Sequence, residues 1–236
     1  METEIETCPL EDYLLFQSQS MPLFCLIHGG VQKGKSTLFF TIANNISLLR
    51  DNEEWDYEKY CARSLDELML MVSKYDNKIL GYEEAQREIS TTSWYDKFSQ
   101  LFSLLIETQG YKKNIIFMVQ PCGLTIPNRQ RRMINLGIEV VKKNEKQKKC
   151  LFRTTVYDFQ NWRLDESFIW YNHYLGFTVM NYDDDQLNKA KQYTNWLIEA
   201  KQIIMNDLIE KTQRLNSLNF KKETEVMPQT ITIRKY

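Results

Sequence analysis

Eight residues, Gly29-Gly30-Val31-Gln32-Lys33-Gly34-Lys35-Ser36, constrain this chain more than any other stretch. They fit G-x-x-x-x-G-K-[ST], the phosphate-binding loop or P-loop pattern. The apolar run Leu23-Phe24-Cys25-Leu26-Ile27 precedes them, and an apolar helical pattern from Leu38 to Leu49 follows. Strand, loop and helix in that order is the context the pattern requires. The glycines let backbone N–H groups turn inward around a phosphate. The helix that follows aims its unpaired N–H groups and positive dipole end at the same anion. A bound nucleotide is therefore expected to touch the loop from Gly29 to Ser36 and Thr37. Lys35 would reach the β- and γ-phosphates, and the Ser36 hydroxyl would ligate Mg²⁺.

A length of 236 residues suits one domain, or one domain with appendages. Hydrophobic residues at 43% against 26% charged ones can build a packed core. The formal net charge of −1 gives no global basic field, so any nucleic-acid surface has to be local. The five cysteines include no pair at metal-knuckle spacing, and their odd number argues against a closed disulfide framework. The two histidines, His28 and His173, lie far apart, and neither is expected to hold zinc. The acidic start, Met1 to Thr7, lacks the apolar region of a signal peptide, and no apolar run approaches the length of a membrane span. A cytoplasmic setting is expected.

The order of periodic segments predicts an α/β fold with three layers around a mostly parallel sheet. Residues 1–20 read as a polar lead-in with a short helix around Glu11–Gln17. A domain over 21–182 follows, then a C-terminal helix and polar tail over 183–236. Strands are expected at Leu23–His28, Tyr57–Ala62, Lys78–Tyr82 and Asn114–Val119, with helices at Thr37–Leu49, from Ser64, and over Trp94–Gln109. Ser64 and Glu67 make a capping-box pattern. Beyond Pro127 the chain becomes β-rich, at Leu136–Val141, Leu151–Tyr157, Phe168–Tyr174 and Phe177–Tyr182. A long helix then runs from Asp183 to about Leu215, with an apolar stripe that includes Leu187, Ala190, Tyr193 and Leu197.

Hydrolysis of a bound nucleotide needs a metal-binding acid and a group that acts on water. Glu83 and Glu84, at the end of the strand that contains Ile79 and Leu80, offer both: Glu83 for the Mg²⁺ shell, through water, and Glu84 as general base or water-positioning group. The alternative is that both simply start a solvated helix. Gln120, at the tip of the most apolar strand, can sense the γ-phosphate or hold the lytic water, or it can merely cap the strand. Arg129, Arg131 and Arg132 can include an arginine finger given to a neighbouring subunit, contact a DNA backbone, or form a solvated basic face. The five lysines of Lys142–Lys149 read as a solvated hairpin tip that could also follow phosphates.

Taken together, Gly29–Ser36 as Walker A, Glu83-Glu84 as Walker B with its catalytic Glu, and Gln120 as a sensor glutamine resemble the additional-strand P-loop ATPases. Within them the layout looks most like the FtsK–HerA branch and its small relatives in archaeal viruses, filamentous phages and mobile elements. Glu83 departs from that pattern, which usually has Asp. The resemblance implies a RecA-like core that binds ATP and Mg²⁺, assembles as a homo-oligomeric ring and translocates double-stranded DNA, as in genome packaging. It leaves two other readings: an ATP-dependent virion assembly or secretion factor of the zonula-occludens-toxin type, and a small-molecule kinase.

Overall fold

The computed structural model describes residues 9–83, 112–120, 134–158 and 171–225. A seven-stranded sheet runs through the molecule in the order β2-β3-β4-β1-β5-β6-β7. Its strands are β1 Leu23–Gly29, β2 Cys61–Ala62, β3 Ile79–Glu83, β4 Ile115–Gln120, β5 Leu136–Asn144, β6 Lys149–Asp158 and β7 Tyr171–Asn181. The first five pair in parallel; β6 and β7 add as antiparallel neighbours. The helices are α1 Pro9–Ser18, α2 Lys35–Asp51, the single turn α3 Tyr57–Tyr60, α4 Leu65–Lys74 and α5 Asp184–Glu225. The expected mixed α/β, RecA-like architecture is the one observed.

Strands covered on both faces need apolar residues throughout, and β1, β3 and β4 are buried along nearly their whole length. Leu26, Leu80, Tyr82, Ile116 and Met118 pack against Leu65, Leu68, Met71 and Val72 of α4. The other face carries α2, whose Phe39 lies over Gly81 of β3 and touches Phe117 of β4 at 5.4 Å between ring centroids. Two asparagines fasten the starts of the strands. The Asn114 side chain accepts from the Lys78 N–H and donates to the Tyr75 carbonyl, and Asn135 accepts from the Phe24 N–H.

Three segments differ from expectation for identifiable reasons. Tyr57–Ala62 is mostly one helical turn, because the Asp56 side chain caps it by accepting from the Lys59 N–H; only Cys61–Ala62 remains to pair with β3. The two aromatic runs near the end of the sheet form one strand, β7, with a register shift at Leu175 opposite Thr154 and Thr155. The last helix continues to Glu225, since neither Gly nor Pro interrupts the sequence before Pro228. The Ser64 cap does form, accepting from the Glu67 N–H while Glu67 reaches back to the Arg63 N–H. The expected helix Trp94–Gln109, and the part of the aromatic run before Tyr171, lie outside the described residues.

Compactness divides the chain into Met1–Thr194 and Asn195–Tyr236. The second unit consists, among the described residues, of the rest of α5. In the first, α1 packs through Leu10 and Leu14, and its buried Glu11 accepts from the Asn45 amide of α2. The start of α5 is fixed by a reciprocal cap: Asp183 accepts from the Gln186 N–H and Gln186 accepts from the Asp183 N–H. Among the described residues no helix is long and apolar enough to cross a membrane.

Gly81, which interrupts an apolar run, is required by packing. A Cβ there would lie 2.4 Å from Cζ of the fully buried Phe39. Gly81→Ala should destabilise the fold by about 1–3 kcal/mol. Urea denaturation checks this, and adding Phe39→Leu should return part of the loss, because the two positions are coupled.

Candidate functional site

The parallel strands β1, β3 and β4 all end at one sheet edge, where open α/β sheets bind ligands. β4 lies between the loop-bearing β1 and the Glu83-bearing β3. The loop leaves β1 through Gly29 and enters α2 through Gly34. Gly29, at φ 147°, allows no side chain, since a Cβ would fall 2.6 Å from the Val140 carbonyl oxygen of β5. Gly34, at φ 85°, is left-handed and caps α2 without a side chain. Gln32 is left-handed as well, at φ 60°. Gly30, Val31, Gln32 and Lys33 are exposed, while Gly34 to Thr37 are half-buried. The loop is thus open to solvent where it enters α2.

Lys35 curls back over the loop and donates to the carbonyl oxygens of Gly29 at 3.2 Å and Gly30 at 2.7 Å. Burial lowers its pKa, while the nearby Glu83 carboxylate acts in the opposite direction. Ser36, one residue on, donates its hydroxyl hydrogen to Glu83 Oε2 at 2.9 Å. This contact joins the first turn of α2 to the end of β3 across the intervening strand. Glu83 is only 7% exposed. A hydroxyl and a carboxylate are the hard oxygen donors that suit Mg²⁺, an ion that keeps water and phosphate for its other positions. The pair can hold it. Among the described residues there is no group of three or more His, Cys, Asp or Glu that could hold a metal.

Gln120 lies one register step beyond the Val119–Glu83 pair and is level with His28. By strand alternation it shares the α4 face with Met118, whereas Glu83 shares the α2 face with Gly81. Gln120 is 1% exposed, and neither its amide nitrogen nor its oxygen has a partner among the described residues. His28, Glu139 and Arg153 continue this row across β1, β5 and β6, and Arg153 donates to Glu139. The basic turn 142–149 is a hairpin tip in which Lys143 pairs with Glu145 and Lys148 with Asp184. The Lys143 stem lies over Gly34. Glu84, Arg129, Arg131 and Arg132 lie outside the described residues.

Sequence reasoning placed Tyr193 in an apolar stripe and missed its polar end. Its hydroxyl donates to Glu83 Oε1 at 2.7 Å and lies 3.5 Å from Cys61 Sγ. A buried tyrosine must find a hydrogen-bond partner, and that rule was the available signal.

Loop, strand order and the Ser36–Glu83 contact define the class of fold: the molecule has a RecA-like P-loop core, similar to that of P-loop ATPases. No protein-family model and no curated protein matches the chain. Among solved structures, the N-terminal domain of zonular occludens toxin from Neisseria meningitidis is 11% identical over 71% of this chain and 98% of that one, with a TM-score of 0.39. The genome packaging NTPase B204 of Sulfolobus turreted icosahedral virus 2 is 13% identical over 57% and 91%, at 0.34. The FIGL-1 AAA domain is 13% identical over 50% of this chain and 42% of its own length, at 0.36.

Burial holds His28 below its ordinary pKa of 6.5; Glu139 pulls it upward, and Arg153 and Lys35 push it further down. The unfolded chain therefore binds this proton at higher pH than the folded one. Stability should fall as pH drops from 6.5 toward the folded value, then stop falling on this account. His28→Asn should lose less Tm than the wild type between about pH 7.5 and about pH 5.5. Equal losses in thermal melts would refute the assignment.

Proposed function

We propose that this protein binds and hydrolyses ATP with Mg²⁺, and that assembled copies use the energy to move double-stranded DNA. The Ser36–Glu83 contact carries the hydrolysis reading, because it brings a loop hydroxyl and a strand-end acid together where a β- and γ-phosphate would lie. The motor reading rests on the combined resemblance of Gly29–Ser36, Glu83-Glu84 and Gln120 to DNA-translocating ATPases.

Arriving phosphates would exchange with the Gly29 and Gly30 carbonyls for the Lys35 ammonium, while the loop N–H groups and the start of α2 hold the β-phosphate. Ser36 and Glu83 would hold Mg²⁺, whose positive charge would offset the negative charge of the phosphates. Glu84 takes the proton of the attacking water as the water oxygen bonds to the γ-phosphorus. The bond from that phosphorus to the bridging oxygen then breaks, and its electrons leave with ADP. Gln120 senses the γ-phosphate from the strand between the two motifs. Arg129, Arg131 or Arg132 of a neighbouring copy stabilises the transferring charge.

Lys35→Ala should weaken ATP binding and abolish turnover. Glu84→Gln should keep ATP binding but slow hydrolysis on the order of 10²- to 10³-fold. Equilibrium binding and phosphate release measure the two effects, and wild-type turnover in Glu84→Gln would displace Glu84 from its role. Turnover per protein molecule should also rise with protein concentration and with duplex DNA. A rate indifferent to both would remove the motor and leave the hydrolase.

A further inference from the structure

Glu83 is gripped from two sides by two helices. Ser36 of α2 occupies Oε2 at 2.9 Å, and Tyr193 of α5 occupies Oε1 at 2.7 Å. The tyrosine has one proton. Since it goes to the carboxylate, the Cys61 thiol is the donor in the 3.5 Å contact with the phenol oxygen. A directed chain results, from Cys61 through Tyr193 to Glu83, with Ser36 closing it from the far side.

The ring that delivers this hydroxyl is fixed. Tyr193 is fully buried, stacked on Phe40 at 5.4 Å and set edge-on to Phe39, Trp55 and Tyr57 at 5.5 to 6.1 Å. Its backbone is anchored by the Asp183–Gln186 cap and by the ion pair of Lys189 with Glu54 at 2.6 Å. Packing alone would be served by phenylalanine. The hydroxyl reaches the one strand-end carboxylate that also holds the loop serine, and it leaves the other carboxylate oxygen aimed at that serine.

We propose that Tyr193 is a positioning residue for the metal site: by holding Oε1 it fixes the carboxylate plane of Glu83, so that Oε2 faces the metal position beside Ser36. This rests on the reading of Ser36 and Glu83 as the Mg²⁺-binding pair. Hydrogen-bond partners of ligating carboxylates set ligand orientation, and their loss typically costs 10- to 100-fold in metal affinity or activity. The bond comes from α5, an element outside the strand-loop-helix motif, so the metal site is completed by the C-terminal helix.

The test measures binding of a fluorescent ATP analogue to the full chain by anisotropy, in EDTA and across a Mg²⁺ titration. Tyr193→Phe should raise the half-saturating Mg²⁺ about tenfold while leaving affinity in EDTA within about twofold of wild type. In a Glu83→Gln background the same change should add nothing. Cys61→Ala, which keeps the bond to Glu83, should retain the wild-type Mg²⁺ requirement. The proposal is overturned by an unaltered Mg²⁺ requirement in Tyr193→Phe, by an equal loss in EDTA, by an effect that survives in Glu83→Gln, or by Cys61→Ala reproducing it. Wild-type binding indifferent to Mg²⁺ would remove the metal-pair reading and this inference together. A Mg²⁺-dependent wild type with an unchanged Tyr193→Phe removes the inference alone.

Discussion

A carboxylate at the end of an apolar strand sets the terms for the surrounding structure. Glu83 exposes 7% of its surface, and a charge so placed must be met by donors or be neutralised. Ser36 and Tyr193 take one oxygen each. Lys35 adds a nearby positive charge, visible in the way Glu83 offsets part of the burial effect on that lysine. These donors come from the first turn of α2 and from α5. Both helices are seated on the same face of the sheet, where they meet Glu83. Burial first, and then the neighbouring Cys61 and Glu83, raise the Tyr193 pKa well above its usual value, so the phenol keeps the proton that it donates.

That requirement explains the aromatic layer between helices and sheet. Phe39, Phe40, Trp55, Tyr57 and Tyr193 touch one another, mostly edge-on, and fix the Tyr193 ring without using polar groups. The polar handle of Trp55 is satisfied separately by the Ile79 carbonyl at 3.0 Å. Gly81 is the geometric counterpart. Phe39 approaches β3 closely only where the strand has no side chain, and Gly81 stands two residues before Glu83. One backbone position thus admits the helix that carries Ser36, and the next position on that face carries its acceptor.

Much of this was legible in the sequence. The loop was read from Gly29, Gly34, Lys35 and Ser36 because its backbone needs leave a local signature, and β1, β3 and β4 because strands covered on both faces are apolar throughout. The hairpin of β5 and β6 followed from two β-prone runs around a basic turn. Other features have no local signature. The sequence marked Gly81 as a break in an apolar run, and only the position of Phe39, 42 residues earlier in the chain, shows why it is needed. Tyr193 fitted a helical stripe as any large apolar residue would; its contact spans 110 residues and is set by packing, not by spacing. Tyr57–Ala62 misled because β-prone tyrosines lost to a single cap from Asp56.

The two buried polar groups at the site edge stand in opposite conditions, and the difference bears on what a ligand would change. Glu83 is satisfied within the chain, and Ser36 can offer an oxygen lone pair to a metal while its hydroxyl hydrogen stays on Glu83. Gln120 is almost fully buried, and among the described residues its amide has no partner. Among the described residues, a partner arriving there has no bond to that amide to break. In the proposed reaction the incoming γ-phosphate or its water is such a partner. It would meet an acid bonded to the loop hydroxyl and an amide unpartnered among the described residues, on the two faces of adjacent strands.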